Sequence, residues 1–70
     1  MNEADRFIQI KHIYGKHMAV FRKKHIYSDG KSEMLLDENS LRMRLANLKK
    51  GGYPHDQTQA ALMALEEAAK

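Results

Sequence analysis

Two turn signals interrupt the first half of the chain, and they constrain its fold more than any other feature. Gly15 separates residues 6–14 from residues 17–27, and Ser28-Asp29-Gly30 precedes residues 31–36. The flanking segments are rich in isoleucine, valine and aromatic residues, which favour extended chain. Asp and Ser side chains bond their local backbone, and a glycine accepts the left-handed position of a three-residue hairpin loop. The pattern predicts a three-stranded antiparallel β-meander over residues 6–36.

A helix over residues 6–27 is the rival interpretation. Five residues fall on one helical stripe: Ala4, Ile8, Tyr14, Met18 and Phe21. We favour strands because Gly15 interrupts any such helix and because β-branched residues are disfavoured within one.

The register of the first hairpin depends on its loop. A two-residue loop at Gly15-Lys16 predicts one apolar face that would contact the core. That face holds the cross-strand pairs Ile8–Lys23, Ile10–Phe21, His12–Ala19 and Tyr14–His17. The opposite face then carries Lys11, Arg22 and Lys24. Because a slip of one residue exchanges the two faces, this register is weakly constrained by sequence.

The second half of the chain changes to helical spacing. Leu41, Leu45 and Leu48 recur at that spacing, after three alternative N-cap residues: Asp37, Asn39 and Ser40. Lys49 and Lys50 complement the dipole of the last turn, and Gly51-Gly52 ends the helix.

A second helix is predicted from residue 57 to about residue 69. Asp56 and Gln59 resemble a capping box at its start. Because the linker through Tyr53-Pro54 is short, the two helices are expected to form an antiparallel hairpin over residues 38–69. The predicted fold class is therefore α+β: a three-stranded antiparallel β-meander followed by two antiparallel α-helices.

The length and composition bound the class of protein. Seventy residues form one small domain, here residues 1–70, whose own core is marginal. The absence of cysteine excludes disulfides and thiolate metal sites. No apolar run approaches the length of a membrane span, and the first residues lack the features of a signal peptide. These features predict a cytoplasmic protein with no membrane partner.

The positive charge is concentrated in the first half of the chain. The net charge is +3, and residues 36–70 contribute equal numbers of acidic and basic side chains. Clustered cations produce a local positive field that attracts phosphates, and Tyr14 and Tyr27 stand near enough to stack on unpaired bases. The alternative is a solvated face that keeps strand edges from pairing. The predicted nucleic-acid contacts are Lys11, Lys16, Arg22, Lys23, Lys24 and Lys31.

Catalytic, metal and cofactor sites find little support in the sequence. No phosphate-binding glycine loop, nucleophile elbow or thiol is present. His12, His17 and His25 supply enough imidazoles for a zinc ion, but no carboxylate or cysteine spacing accompanies them. A DNA-reading helix-turn-helix is disfavoured because the second helix is rich in alanine and ends in Glu66 and Glu67. We predict no catalytic residue, no metal and no cofactor.

The helical segment suggests a different class of function. Its apolar side chains exceed what one small sheet face absorbs, so part of them would form a partner groove or a homodimer seam. Ordinary core packing is the alternative, although methionines suit adaptable interfaces. The predicted interface residues are Leu41, Met43, Leu45, Leu62 and Met63.

Two functional hypotheses follow from these features. The first is a small non-enzymatic nucleic-acid-binding or regulatory protein that uses a basic β-hairpin face. The second is a protein-binding inhibitor or adaptor of an intracellular machine. In style, small cysteine-free chains of this kind resemble phage and plasmid products, including anti-defence inhibitors.

Overall fold

The computed structural model describes residues 5–22 and 33–70. Strands β1 (Arg6–Ile13), β2 (Lys16–Arg22) and β3 (Glu33–Leu36) form one antiparallel sheet in the order β1-β2-β3. Helices α1 (Glu38–Gly51) and α2 (Asp56–Ala68) follow. The α+β class and the meander followed by two helices are confirmed. The predicted turn at residues 28–30 and the predicted strand ends at 23–27 and 31–32 lie outside the described residues.

The first hairpin turns at Tyr14-Gly15, so the predicted loop at Gly15-Lys16 is wrong. Tyr14 has φ 55° and Gly15 has φ 76°. Positive φ at both central residues is what a type I′ hairpin turn requires, and the second position favours glycine. Relative to the prediction, the pairing shifts by two residues. Because the shift is even, it leaves each side chain on its predicted face except near the start of β1. The register pairs Ile13 with Lys16, His12 with His17, Lys11 with Met18, and Ile10 with Ala19.

A β-bulge between Phe7 and Gln9 changes the start of β1. It places Phe7 opposite Phe21, with ring centroids 5.9 Å apart. Ile8, which was predicted to face the core, is the extra residue and is 40% exposed. A bulge inserts one residue into the alternation, so every side chain before it changes face.

The helices pack against one face of the sheet, with α2 next to β1 and β2 and with α1 next to α2 and β3. The shortest dimension of the fold is 15 Å, which fits one sheet and one layer of helices. The buried core between the layers consists of Ala19, Phe21, Leu41, Ala61 and Leu65, with Phe7, Ile10, Met34, Leu36 and Leu62 packed around it.

Arg44 of α1 connects the layers at the edge of this core. Its guanidinium lies 3.1 Å from the Asp5 carboxylate and 5.9 Å from the centre of the Phe21 ring. Its Nε also donates to Oγ1 of the buried Thr58 at 3.3 Å. On α2, the Gln57 side chain accepts a hydrogen bond from the Phe7 amide at 3.0 Å. These contacts orient the hairpin against the helices.

The ends of α1 follow sequence rules, whereas the start of α2 does not. Asp37 is the N-cap of α1, and its carboxylate accepts from the Ser40 amide at 2.8 Å. Gly52 ends α1 at φ 73°, and the Tyr53 amide donates to the Leu48 carbonyl at 2.9 Å, as in a Schellman motif. The predicted capping box is wrong because His55, without a side-chain cap, is the N-cap of α2 and Asp56 is already helical.

The N-cap carboxylate makes a pH-dependent contribution to stability. The hydrogen bond from the Ser40 amide lowers the pKa of Asp37 below its ordinary value of 3.8. A lowered pKa in the folded state means that the contribution is present above the unfolded pKa and is lost as pH falls through the folded pKa. We expect the melting temperature of the wild type to fall relative to that of Asp37→Asn as pH drops from 7 to below about 4. Asn caps a helix as well as Asp but stays neutral. A difference between the two melting temperatures that does not change with pH would contradict this role.

Candidate nucleic-acid interface

The sheet face opposite the helices is referred to as the outer face. Its residues follow from the cross-strand register, since paired residues share a face and neighbours alternate. On β1 and β2 they pair as Arg6 with Arg22, Gln9 with Val20, Lys11 with Met18, and Ile13 with Lys16. On β3 they are Glu33 and Leu35.

Three of the outer-face cations are exposed and carry no counter-charge. Arg6, Lys11 and Arg22 lie at exposed strand positions. Within residues 5–22 and 33–70, the ion pairs use other cations: Lys16, Arg42, Arg44 and Lys70. The three side chains are therefore available to an anion from outside the described part of the chain.

Arg6 and Arg22 are direct cross-strand partners. Opposite residues of an antiparallel pair have Cβ atoms about 5 Å apart, and like charges in that arrangement are destabilising. Glu33, the partner of Arg22 on β3, is the single acid among the described outer-face residues. A phosphate bound between the two guanidinium groups would relieve the repulsion.

Lys16 lies at the turn end of the outer face. Its Nζ is 3.9 Å from the Asp37 carboxylate, and its side chain is 63% exposed. An exposed ion pair at that distance contributes little energy. Lys16 therefore stays available as a fourth cation.

The structure brings together half of the predicted nucleic-acid contacts. Lys11, Lys16 and Arg22 share the outer face. The other three predicted contacts lie outside the described residues: Lys23, Lys24 and Lys31. Arg6 was missed because simple alternation assigns it to the core face, and only the bulge moves it to the face of Arg22.

Aromatic rings gather at the turn end of the first hairpin. Tyr14 is 91% exposed in the turn itself. Behind it, the His12 and His17 rings lie 4.8 Å apart, tilted by 59°. The two histidines are direct partners, and not diagonal ones as predicted. Across residues 5–22 and 33–70, no group of three His, Cys, Asp or Glu side chains is placed to hold a metal ion.

A cleft of about 420 Å³ separates the first turn from the helix ends. Its polar lining includes Lys16, His17, Asp37 and Glu38. The Asp37 carboxylate is committed to the cap of α1, and its lowered pKa keeps it ionised near neutral pH. It therefore makes a poor general base at that pH, because its basicity is too low.

The predicted interface residues on the helices divide into buried and exposed sets. Leu41 is fully buried in the core of this chain and is not available to a partner. Leu45 and Leu62 are half-buried. Met43 and Met63 are 67% and 64% exposed, so they are the members of the set that a partner could contact.

Comparisons with known proteins give no relative. No protein-family model, curated protein or solved structure matches the chain. Within the part of the chain that the structure describes, neither helix is long and apolar enough to cross a membrane.

Proposed function

We propose that the chain is a small non-enzymatic protein that binds nucleic acid through the outer face. The observation that carries this proposal is the set of exposed cations without counter-charges, Arg6, Lys11 and Arg22, on one side of the sheet. The helices pack against the other side, which leaves these side chains free of core-packing roles. The proposed setting is the cytoplasm, where nucleic acid is accessible.

The geometry of the cations suits a chain of phosphates better than a single small anion. Arg6 and Lys11 are five residues apart on β1, which corresponds to roughly 16 Å along an extended strand. Lys16 extends the row toward the turn, and Arg22 widens it at the other end. A polyanion contacts all four positions at once and releases its counterions, which is the main source of affinity for nucleic acid.

Salt dependence tests this proposal. Four phosphate contacts on a single strand predict a slope of about −2.8 in log affinity against log salt. Raising salt from 50 to 200 mM should then weaken binding roughly 50-fold. Fluorescence anisotropy with labelled DNA and RNA oligonucleotides measures both values. An absence of binding at 50 mM salt, or affinity that ignores salt, would show that the proposal is wrong.

A second candidate function is a protein-binding inhibitor or adaptor. It is favoured by the exposure of Met43 on α1 and Met63 on α2, two flexible apolar side chains outside the core. If this function is correct, a protein that co-purifies with the tagged chain should be lost from Met43→Gln/Met63→Gln. The same protein should stay bound to Arg6→Gln/Arg22→Gln, which changes the outer face only. Retention by the methionine variant would count against this candidate.

A further inference from the structure

The turn of the first hairpin contains a residue that its own conformation disfavours. Tyr14 occupies the first central position of a type I′ turn, at φ 55°. That position favours Asn, Asp or Gly, whereas positive φ is unusual for a bulky side chain. Neither the turn nor its register with Gly15 requires a tyrosine.

Packing does not explain Tyr14 either. Its side chain is 91% exposed, the highest value among the exposed large apolar residues of the described chain. The Phe7 and Phe21 rings, in contrast, contact each other within the core. A strained residue that neither the backbone nor the core requires is a reason to look for a function.

The surroundings of Tyr14 indicate the kind of ligand. Lys16, two residues away, is exposed and belongs to the outer face. The His12 and His17 rings follow directly behind the turn on the other face of the hairpin. Single-stranded nucleic acids are bound by this combination, in which cations contact phosphates and aromatic rings stack on bases.

We propose that Tyr14 stacks on an unpaired base, so that the ligand of the outer face is single-stranded nucleic acid. This inference rests on the proposed function and deepens it by naming the substrate class. In a duplex the faces of the bases are already stacked on one another, and an aromatic side chain at a hairpin tip has no free base face to contact. In a single strand the base next to the Lys16-bound phosphate is free to meet the Tyr14 ring.

The test compares two probes that differ only in their bases. One is a labelled oligothymidine of about 12 nucleotides, within the site sizes of single-strand binders. The other is an abasic strand with the same number of phosphates. Stacking of one base predicts that the wild type prefers the first probe by roughly 5- to 150-fold. Tyr14→Asn should bind both probes as the wild type binds the abasic one, and Tyr14→Phe should keep the preference.

Stability measurements show whether the turn itself has been damaged. Because Asn suits the turn conformation, Tyr14→Asn is expected to raise the melting temperature by several degrees while it loses the base preference. A lower melting temperature would mean that Tyr14 serves the fold, and the inference would be overturned. Lys16→Gln serves as a matched control, because it should weaken binding to both probes by the same factor.

The outcomes distinguish this inference from the proposed function. If the wild type binds neither probe at low salt, the nucleic-acid function fails and the inference fails with it. If the wild type binds both probes equally and Tyr14→Asn changes nothing, the function stands and the role of Tyr14 is wrong. If a duplex of the same length binds more tightly than the oligothymidine, the single-stranded substrate class is wrong.

Discussion

Leu41→Ala is expected to lower the free energy of unfolding by about 2–5 kcal/mol. Leu41 is fully buried and belongs to the cluster that joins α1, α2 and the sheet. Removing its side chain costs transfer free energy and leaves a cavity that the neighbouring rings and helices fill only in part. Small domains have total stabilities of only about 5–15 kcal/mol, so the variant should be largely unfolded at moderate urea concentrations. Urea denaturation followed by circular dichroism measures the change.

Met43→Ala is the matched control on the same helix. Met43 is 67% exposed and lies two residues from Leu41. Its truncation should change the free energy of unfolding by less than about 0.5 kcal/mol. Equal costs for the two variants would contradict the assignment of Leu41 to the core and of Met43 to the surface.

The triple variant Arg6→Gln/Lys11→Gln/Arg22→Gln should bind single-stranded oligonucleotides roughly 100-fold more weakly than the wild type at 0.1 M salt. Each lost phosphate contact removes about 0.7 from the slope of log affinity against log salt, so the slope should fall in magnitude by about 2. The substituted positions are exposed strand residues, so the fold should survive. Relief of the Arg6–Arg22 repulsion favours the folded variant slightly.

A charge-matched variant on the helices separates the outer face from net charge. Arg42→Gln/Lys49→Gln/Lys50→Gln also removes three positive charges, all from exposed positions of α1. If binding depends on the outer face, this variant should retain the slope of the wild type and lose affinity only several-fold. If both triple variants lose affinity equally, nonspecific charge and not the outer face would account for binding.

Much of the fold could be predicted from residue patterns because local chemistry and tertiary packing agree. The leucine spacing of α1, the Asp37 cap and the Gly52 terminus all indicate the same helix, and the structure has it. Gly15 marks the first turn, but a glycine suits either central position of a two-residue loop, so the register shifted by two. The N-cap of α2 was misplaced because Asp56 has a favourable side chain, although the chain enters the helix one residue earlier, at His55.

The candidate interface was less predictable than the fold. Lys11 and Arg22 were assigned to a common face from alternation alone, and the two-residue shift did not disturb that assignment. Arg6 depends on the bulge after Phe7, which has no composition or spacing that marks it in advance. The strain of Tyr14 was also hidden, because the predicted loop left this residue at the end of a strand with ordinary φ. Both features arise from how β1 pairs and packs, which is a tertiary property.

The most direct test of nucleic-acid binding by the outer face is an NMR titration of the labelled chain with a single-stranded oligonucleotide. Binding there predicts that amide shifts concentrate on β1, β2 and the first turn, at Lys11, Tyr14, Lys16 and Arg22, and that α2 stays unchanged. Shifts concentrated around Met43 and Met63, or no shifts at low salt, would contradict the proposed interface.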